Sequence, residues 1–196
     1  MFYLITILSA MAVIFGVNML IKDNFYYLEA WKLLIAIVIA TIAVIIIAGI
    51  IATIIRYLLP KKWFTGPKTI FSAGEKERRF YEKIGIKKWK DKVLELGMFT
   101  SFSKKNIAKP KDLEYIDRYI MEANFGAVIH LFCMIGSPLV VFVLPLYLAP
   151  FVTLPVALVS IFLHFLPMCI LRYNLKKLHV LYKFNLRKNK ETSNCE

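Results

Sequence analysis

Cysteine is scarce, with three in 196 residues, and nothing about their placement suggests a zinc site or a disulfide framework. Cys133 and Cys169 sit inside apolar runs, where a thiol behaves as a small hydrophobe, and Cys195 lies in a polar stretch. No C-x-x-C pair, Cys/His cluster, internal repeat or low-complexity region is present. Acidic residues are also few, 13 against 26 Lys and Arg, for a net charge of +13. A G-x-S-x-G elbow, which would mark a serine nucleophile, is absent.

What is plentiful is apolar. Hydrophobic residues make up 59% of the chain and the mean hydropathy is +0.61, whereas a soluble domain is about half apolar. The excess falls in long uncharged runs that alternate with strongly basic stretches. Nucleic acid, anionic lipid and the positive-inside bias could each explain the charge. With so much chain suited to lipid, nucleic acid is set aside as a partner.

Residues 2–21, 33–55, 123–149 and 151–171 are uncharged, and each meets the roughly 20 residues that cross a bilayer core as helix. The first run lacks a basic leading region and a clear small-residue cleavage site, so it reads as a membrane helix rather than a signal peptide. The fold class is therefore an all-α membrane protein of about four transmembrane helices. A basic cytoplasmic interfacial segment lies between spans two and three. Four regions follow: two helices in 1–59, the basic segment in 60–122, a helical hairpin in 123–171 and a basic tail in 172–196.

Residues 22–32 carry no net charge, residues 56–118 carry 17 Lys/Arg against 8 Asp/Glu, and residues 172–196 carry 7 against 2. Only one orientation puts both basic blocks inside, with both termini cytoplasmic. Pro145, Pro150 and Pro155 mark the turn of the hairpin, while Pro138 and Pro167 are expected as kinks within helices.

In the basic segment, Phe80, Ile84, Trp89, Val93 and Leu96 recur at roughly helical spacing, interrupted by Gly85, and Trp63, Phe64, Phe71, Phe99 and Phe102 add aromatic character. A basic face beside a Trp-bearing apolar face suits a helix lying in the membrane interface. It is either a solvated loop that sets topology or a basic mouth for an anionic headgroup or the phosphates of a carrier such as coenzyme A.

Ionisable groups at membrane depth are costly and so draw functional attention. Glu122 and Arg172 sit at the inner ends of spans three and four, and His130 and His164 lie eight residues deeper on each, about 12 Å along a helix. These residues and Tyr173 would line a cytoplasm-facing cavity if the two sides meet. A histidine there suits a general base, with the carboxylate orienting it. For His164, three residues before Pro167, a neutral imidazole bonded to a carbonyl freed by the proline is the simpler alternative.

Three stretches carry a family resemblance. Phe80-Tyr81-Glu82-Lys83-Ile84-Gly85-Ile86-Lys87-Lys88-Trp89-Lys90-Asp91 is similar to a cytoplasmic F-Y/W-x-K-x-x-x-V-x-x-W-K box. Glu122 followed by His130 resembles an E-x7-H opening of the third span. Pro167 followed by Arg172-Tyr173-Asn174-Leu175-Lys176-Lys177-Leu178 resembles P-x4-Q-R-Y-N-R-x-R-L. The family is the glycosyl-4,4'-diaponeurosporenoate acyltransferases of staphyloxanthin-type carotenoid synthesis, matched over about residues 70–190. Leu171, Leu175 and Ala127 depart from it, standing where Gln, Arg and an acidic residue occur. The H-x4-D motif of glycerol-phosphate acyltransferases is absent, His130 being followed by Leu131 to Ile135.

The resemblance implies transfer of a fatty acyl group to a sugar hydroxyl of a membrane glycolipid, with acyl-CoA or a similar donor as cosubstrate and no permanently bound cofactor. On this reading His130 is the base and Glu122 orients it. Lys87, Lys88, Trp89, Lys90, His164, Arg172, Tyr173 and Asn174 bind substrate. Another lipid-modifying enzyme, such as a methyltransferase, and a non-catalytic protein binding anionic lipid or a membrane partner stay open as alternatives.

Overall fold

The computed structural model describes residues 2–25, 28–91, 93, 107 and 109–193. Leu96, Phe99, Phe102 and Cys195 lie outside the described residues. Helix follows helix: α1 Phe2–Phe25, α2 Ala30–Leu58, α3 Glu75–Lys83, α4 Ile86–Trp89, α5 Leu113–Gly136 and α6 Leu154–Ser193, with no strand among the described residues. Four stretches are long and apolar enough to cross a membrane: Tyr3–Ile21, Ala30–Leu58, Leu113–Phe142 and Leu146–Glu191. In hydrocarbon no water satisfies a backbone amide, so an uncharged run of this length closes its hydrogen bonds as helix. Thr41 and Thr53 do the same locally, donating to the carbonyls of Ile37 and Gly49, each at 2.8 Å. The chain is a multi-pass helical membrane protein, as its composition implied.

The contacts divide it into two compact units, and the division falls within α2, α5 and α6. The first unit is Met1–Ile54 with Leu131–Phe165. Its core gathers Ile14, Leu33, Ile37, Ala40, Val44, Val140, Val152 and Val156. Gly136 lets α5 approach α2 closely, since a methyl group there would collide with Ile51. Ser137 donates to the carbonyl of Cys133 at 2.7 Å and shares a hydrogen bond with Ser160 at 2.8 Å.

Pro138, expected as a kink within a helix, stands where α5 gives way to a 3-10 helix over Ser137–Phe142. Its missing N–H suits the start of a new helical segment. The chain reverses around Pro145, which precedes a 3-10 turn at Leu146–Leu148. Pro150 lies in a π-helical turn, Ala149–Thr153, and Pro155 in the first turn of α6. Pro167 does lie inside α6, which runs on for 40 residues and takes in most of the basic stretch beyond Arg172.

The second unit is Ile55–His130 with Leu166–Glu196. Ile116, Tyr119, Ile120, Ala123 and Ala127 of α5 meet Leu171, Leu175 and Leu178 of α6 at helical spacing. The segment after α2 is pinned to this pair. Phe64 stacks on Phe125 with ring centres 3.8 Å apart, buried Asn124 donates to the carbonyl of Phe64 at 2.7 Å, and the Gly66 amide donates to Asp117 at 3.1 Å. The helical spacing from Phe80 onward breaks at Gly85, where the sequence shows the interruption. Gly85, at φ +74°, turns the chain between α3 and α4, and Tyr81 and Ile86 are buried while Phe80 and Ile84 are exposed.

Candidate active site

In the second unit, the end of α2 and the turn after it face one side of α5 across a cavity of 470 Å³. Arg56, Tyr57, Leu59 and Lys61 form one wall. Arg118, Met121, Glu122 and Phe125 form the other, and their i, i+3, i+4, i+7 spacing puts all four on one face of α5. Arg56 and Glu122 join the walls with a fork of two hydrogen bonds, 2.7 and 2.8 Å. The guanidinium also lies over the ring of Phe125, 5.1 Å from its centre.

Glu122, singled out by its depth, is thus part of a polar cavity, but both its oxygens serve Arg56. His130 lies eight residues further along α5, a rise of about 12 Å that no carboxylate spans. Any effect of Glu122 on the imidazole is therefore indirect. His130 is half-buried, the last residue of its stretch of the second unit, five residues past the cavity's Phe125. His164 is half-buried and belongs to the first unit.

A second polar cluster joins α3 to α6. Arg172 donates through Nε and Nη2 to the two oxygens of Glu77, at 2.6 and 2.7 Å. It also reaches the carbonyls of Ile70 at 3.0 Å and Ser72 at 3.3 Å, and its own carbonyl accepts from the Ala73 amide at 3.0 Å. Hydrogen bonds from Arg172 hold the Glu77 carboxyl below its ordinary range against the opposing effect of burial, and Tyr81 adds a further bond. Burial, and then the bond to Glu77, push the Tyr81 phenol well above its ordinary value.

Tyr173 donates to Glu82 at 3.0 Å, Lys176 pairs with Glu75, and Arg78 and Lys87 each approach Glu82 at 3.4 Å. The hydrogen bond from Tyr173 to Glu82, and that from Lys176 to Glu75, are the leading reasons these two carboxyls are also lowered. The side chains expected to grip substrate here thus grip the protein: Arg172 and Tyr173 hold α3, Lys87 answers Glu82, and the Trp89 indole donates to the Ile84 carbonyl at 3.1 Å. Lys88 is exposed, and Lys90 and Asn174 are half-buried.

Arg56, Lys61 and Arg118 were not singled out from the sequence. The signal was there in part. Spans two and three run in opposite directions, so the end of α2 and the start of α5 share a side, and Arg118 stands four residues before Glu122. No group of His, Cys, Asp or Glu among the described residues is arranged to hold a metal ion.

Four membrane-length helices, with a basic, polar cavity between the end of α2 and α5, define a small multi-pass helical membrane protein. Residues 60–183 match the glycosyl-4,4'-diaponeurosporenoate acyltransferase family, and the chain belongs to that family. The match takes in Lys61, Arg118, Glu122, His130 and Arg172, while Arg56, Tyr57 and Leu59 precede it. No curated protein and no solved structure matches the chain.

Proposed function

We propose that this acyltransferase moves a fatty acyl group from an activated thioester, acyl-CoA or a similar donor, to a hydroxyl of a glycolipid in the membrane, as in carotenoid synthesis. The observation that carries the reading is the family match, which spans the whole segment from Lys61 through His130 to Arg172. His130 takes the proton of the acceptor hydroxyl as its oxygen attacks the acyl carbonyl carbon. The carbon–sulfur bond then breaks and the imidazolium returns the proton to the leaving thiolate. The lipid-facing helices accommodate the acyl and polyprenyl tails, and both termini lie in the cytoplasm.

His130→Ala is expected to fold and to lower transfer of labelled acyl groups from acyl-CoA to extracted glycolipid by about 10²-fold or more, the usual worth of a general base. Full activity in a folded variant would overturn the assignment. A second reading, a non-catalytic protein bound to anionic lipid, is favoured by the charge of residues 56–118 and by exposed Trp63, Ile70 and Phe80. On that reading, alanine at both Glu122 and His130 leaves the cellular phenotype intact.

A further inference from the structure

We propose that the cavity between the end of α2 and α5 is a phosphate site, with Lys61 and Arg118 as its ligands and Arg56 as a wall fixed in advance. The inference rests on the acyltransferase reading only for the source of the phosphate. The lining holds three cations and one carboxylate, a net charge of +2. The carboxylate is paired with Arg56, whose positive charge offsets its repulsion of an anion.

That same pairing prepares Arg56. A guanidinium has five N–H donors, and Glu122 takes two of them. The fork and the Phe125 ring hold the remaining donors in place, so little side-chain freedom is lost when an anion arrives. The size also fits, since 470 Å³ lies within the range of small-ligand pockets. The uncharged lining is Tyr57, Leu59, Met121 and Phe125, apolar or aromatic side chains that suit the organic body attached to a phosphate. A bare inorganic ion would leave that surface unused. The ligand class is therefore a phosphate ester carried on a larger molecule, either a soluble acyl carrier or the headgroup of a membrane lipid.

The test uses the full chain in neutral detergent and in phosphatidylcholine nanodiscs. Binding of coenzyme A, and of pantetheine, which lacks the phosphates, is measured by calorimetry in detergent. Binding of phosphatidylglycerol is measured by its enrichment around the protein in mixed nanodiscs. The variants are Lys61→Ala with Arg118→Ala, and the charge-preserving pair Lys61→Arg with Arg118→Lys. The alanine pair is expected to weaken one phosphate ligand by about 10- to 100-fold, the charge-preserving pair by much less, and pantetheine binding not at all.

Loss confined to coenzyme A places the carrier phosphate in the cavity, and loss confined to phosphatidylglycerol places a lipid headgroup there. The proposal is overturned if the alanine pair changes neither ligand. It is also overturned if the charge-preserving pair, folded as judged by an unshifted thermal midpoint, loses as much as the alanine pair. His130→Ala is expected to bind these ligands as the wild type does. Intact phosphate binding in a wild-type protein that shows no acyl transfer would count against the acyl-transfer reading and leave the phosphate site standing.

Discussion

Arg172 makes four hydrogen bonds through its guanidinium, two of them to one carboxylate. A lysine has the charge but not the fork, so Arg172→Lys is expected to destabilise the second unit by about 2 kcal/mol, read as a lower thermal midpoint in detergent. Acid should have a related effect. The folded Glu77 carboxyl sits below its ordinary value of 4.5. Its contribution is thus complete above the ordinary carboxylate range and is lost as the pH falls below that value. The thermal midpoint is expected to hold steady from neutral pH downward and to drop once the pH falls below the ordinary value of 4.5. Glu77→Gln, already without the ion pair, should lack this part of the drop. From the sequence, Arg172 was legible as special by its place at the end of an apolar run. Its partner was not, because Glu77 stands 95 residues away and no local spacing links the two.

At the scale of elements, the helical spacing of the basic segment is interrupted at Gly85 in the sequence, and the structure has one helix on each side of it. That glycine is left-handed and ends the first helix. A Cβ there strains the backbone, so Gly85→Ala is expected to cost about 1–2 kcal/mol. Tryptophan fluorescence during unfolding reports it directly, because the Trp89 indole closes this same turn on Ile84. The glycine marked the break in the sequence, and the structure adds the sign of its φ. The long helices were legible because a lipid solvent leaves an uncharged run almost no other backbone conformation.

For the whole molecule, the spans were readable because hydrophobicity varies along one dimension. The two units were not, since each joins stretches far apart in sequence. At about 1.5 Å per residue the 40 residues of α6 measure about 60 Å along the helix, twice a hydrocarbon core of about 30 Å. Half of this helix therefore belongs outside the hydrocarbon, which accords with its basic second half. The proposed orientation makes a plain forecast. Reporter fusions after Ser193 should be active only as cytoplasmic reporters, and an insertion within residues 22–32 only as an external one. The reverse pattern would refute it.

Asn18 of α1 donates to the Ile14 carbonyl in its own helix at 2.7 Å and to the Phe151 carbonyl at 2.8 Å. The first bond is available as soon as α1 is made. The second waits until 133 further residues have been synthesised and threaded into the bilayer. Helix α1 therefore gains this bond only after the stretch that carries Phe151 has been made. This imposes an order on biogenesis, in which early insertion is followed by late docking and a chain truncated before Phe151 is inserted without that clasp.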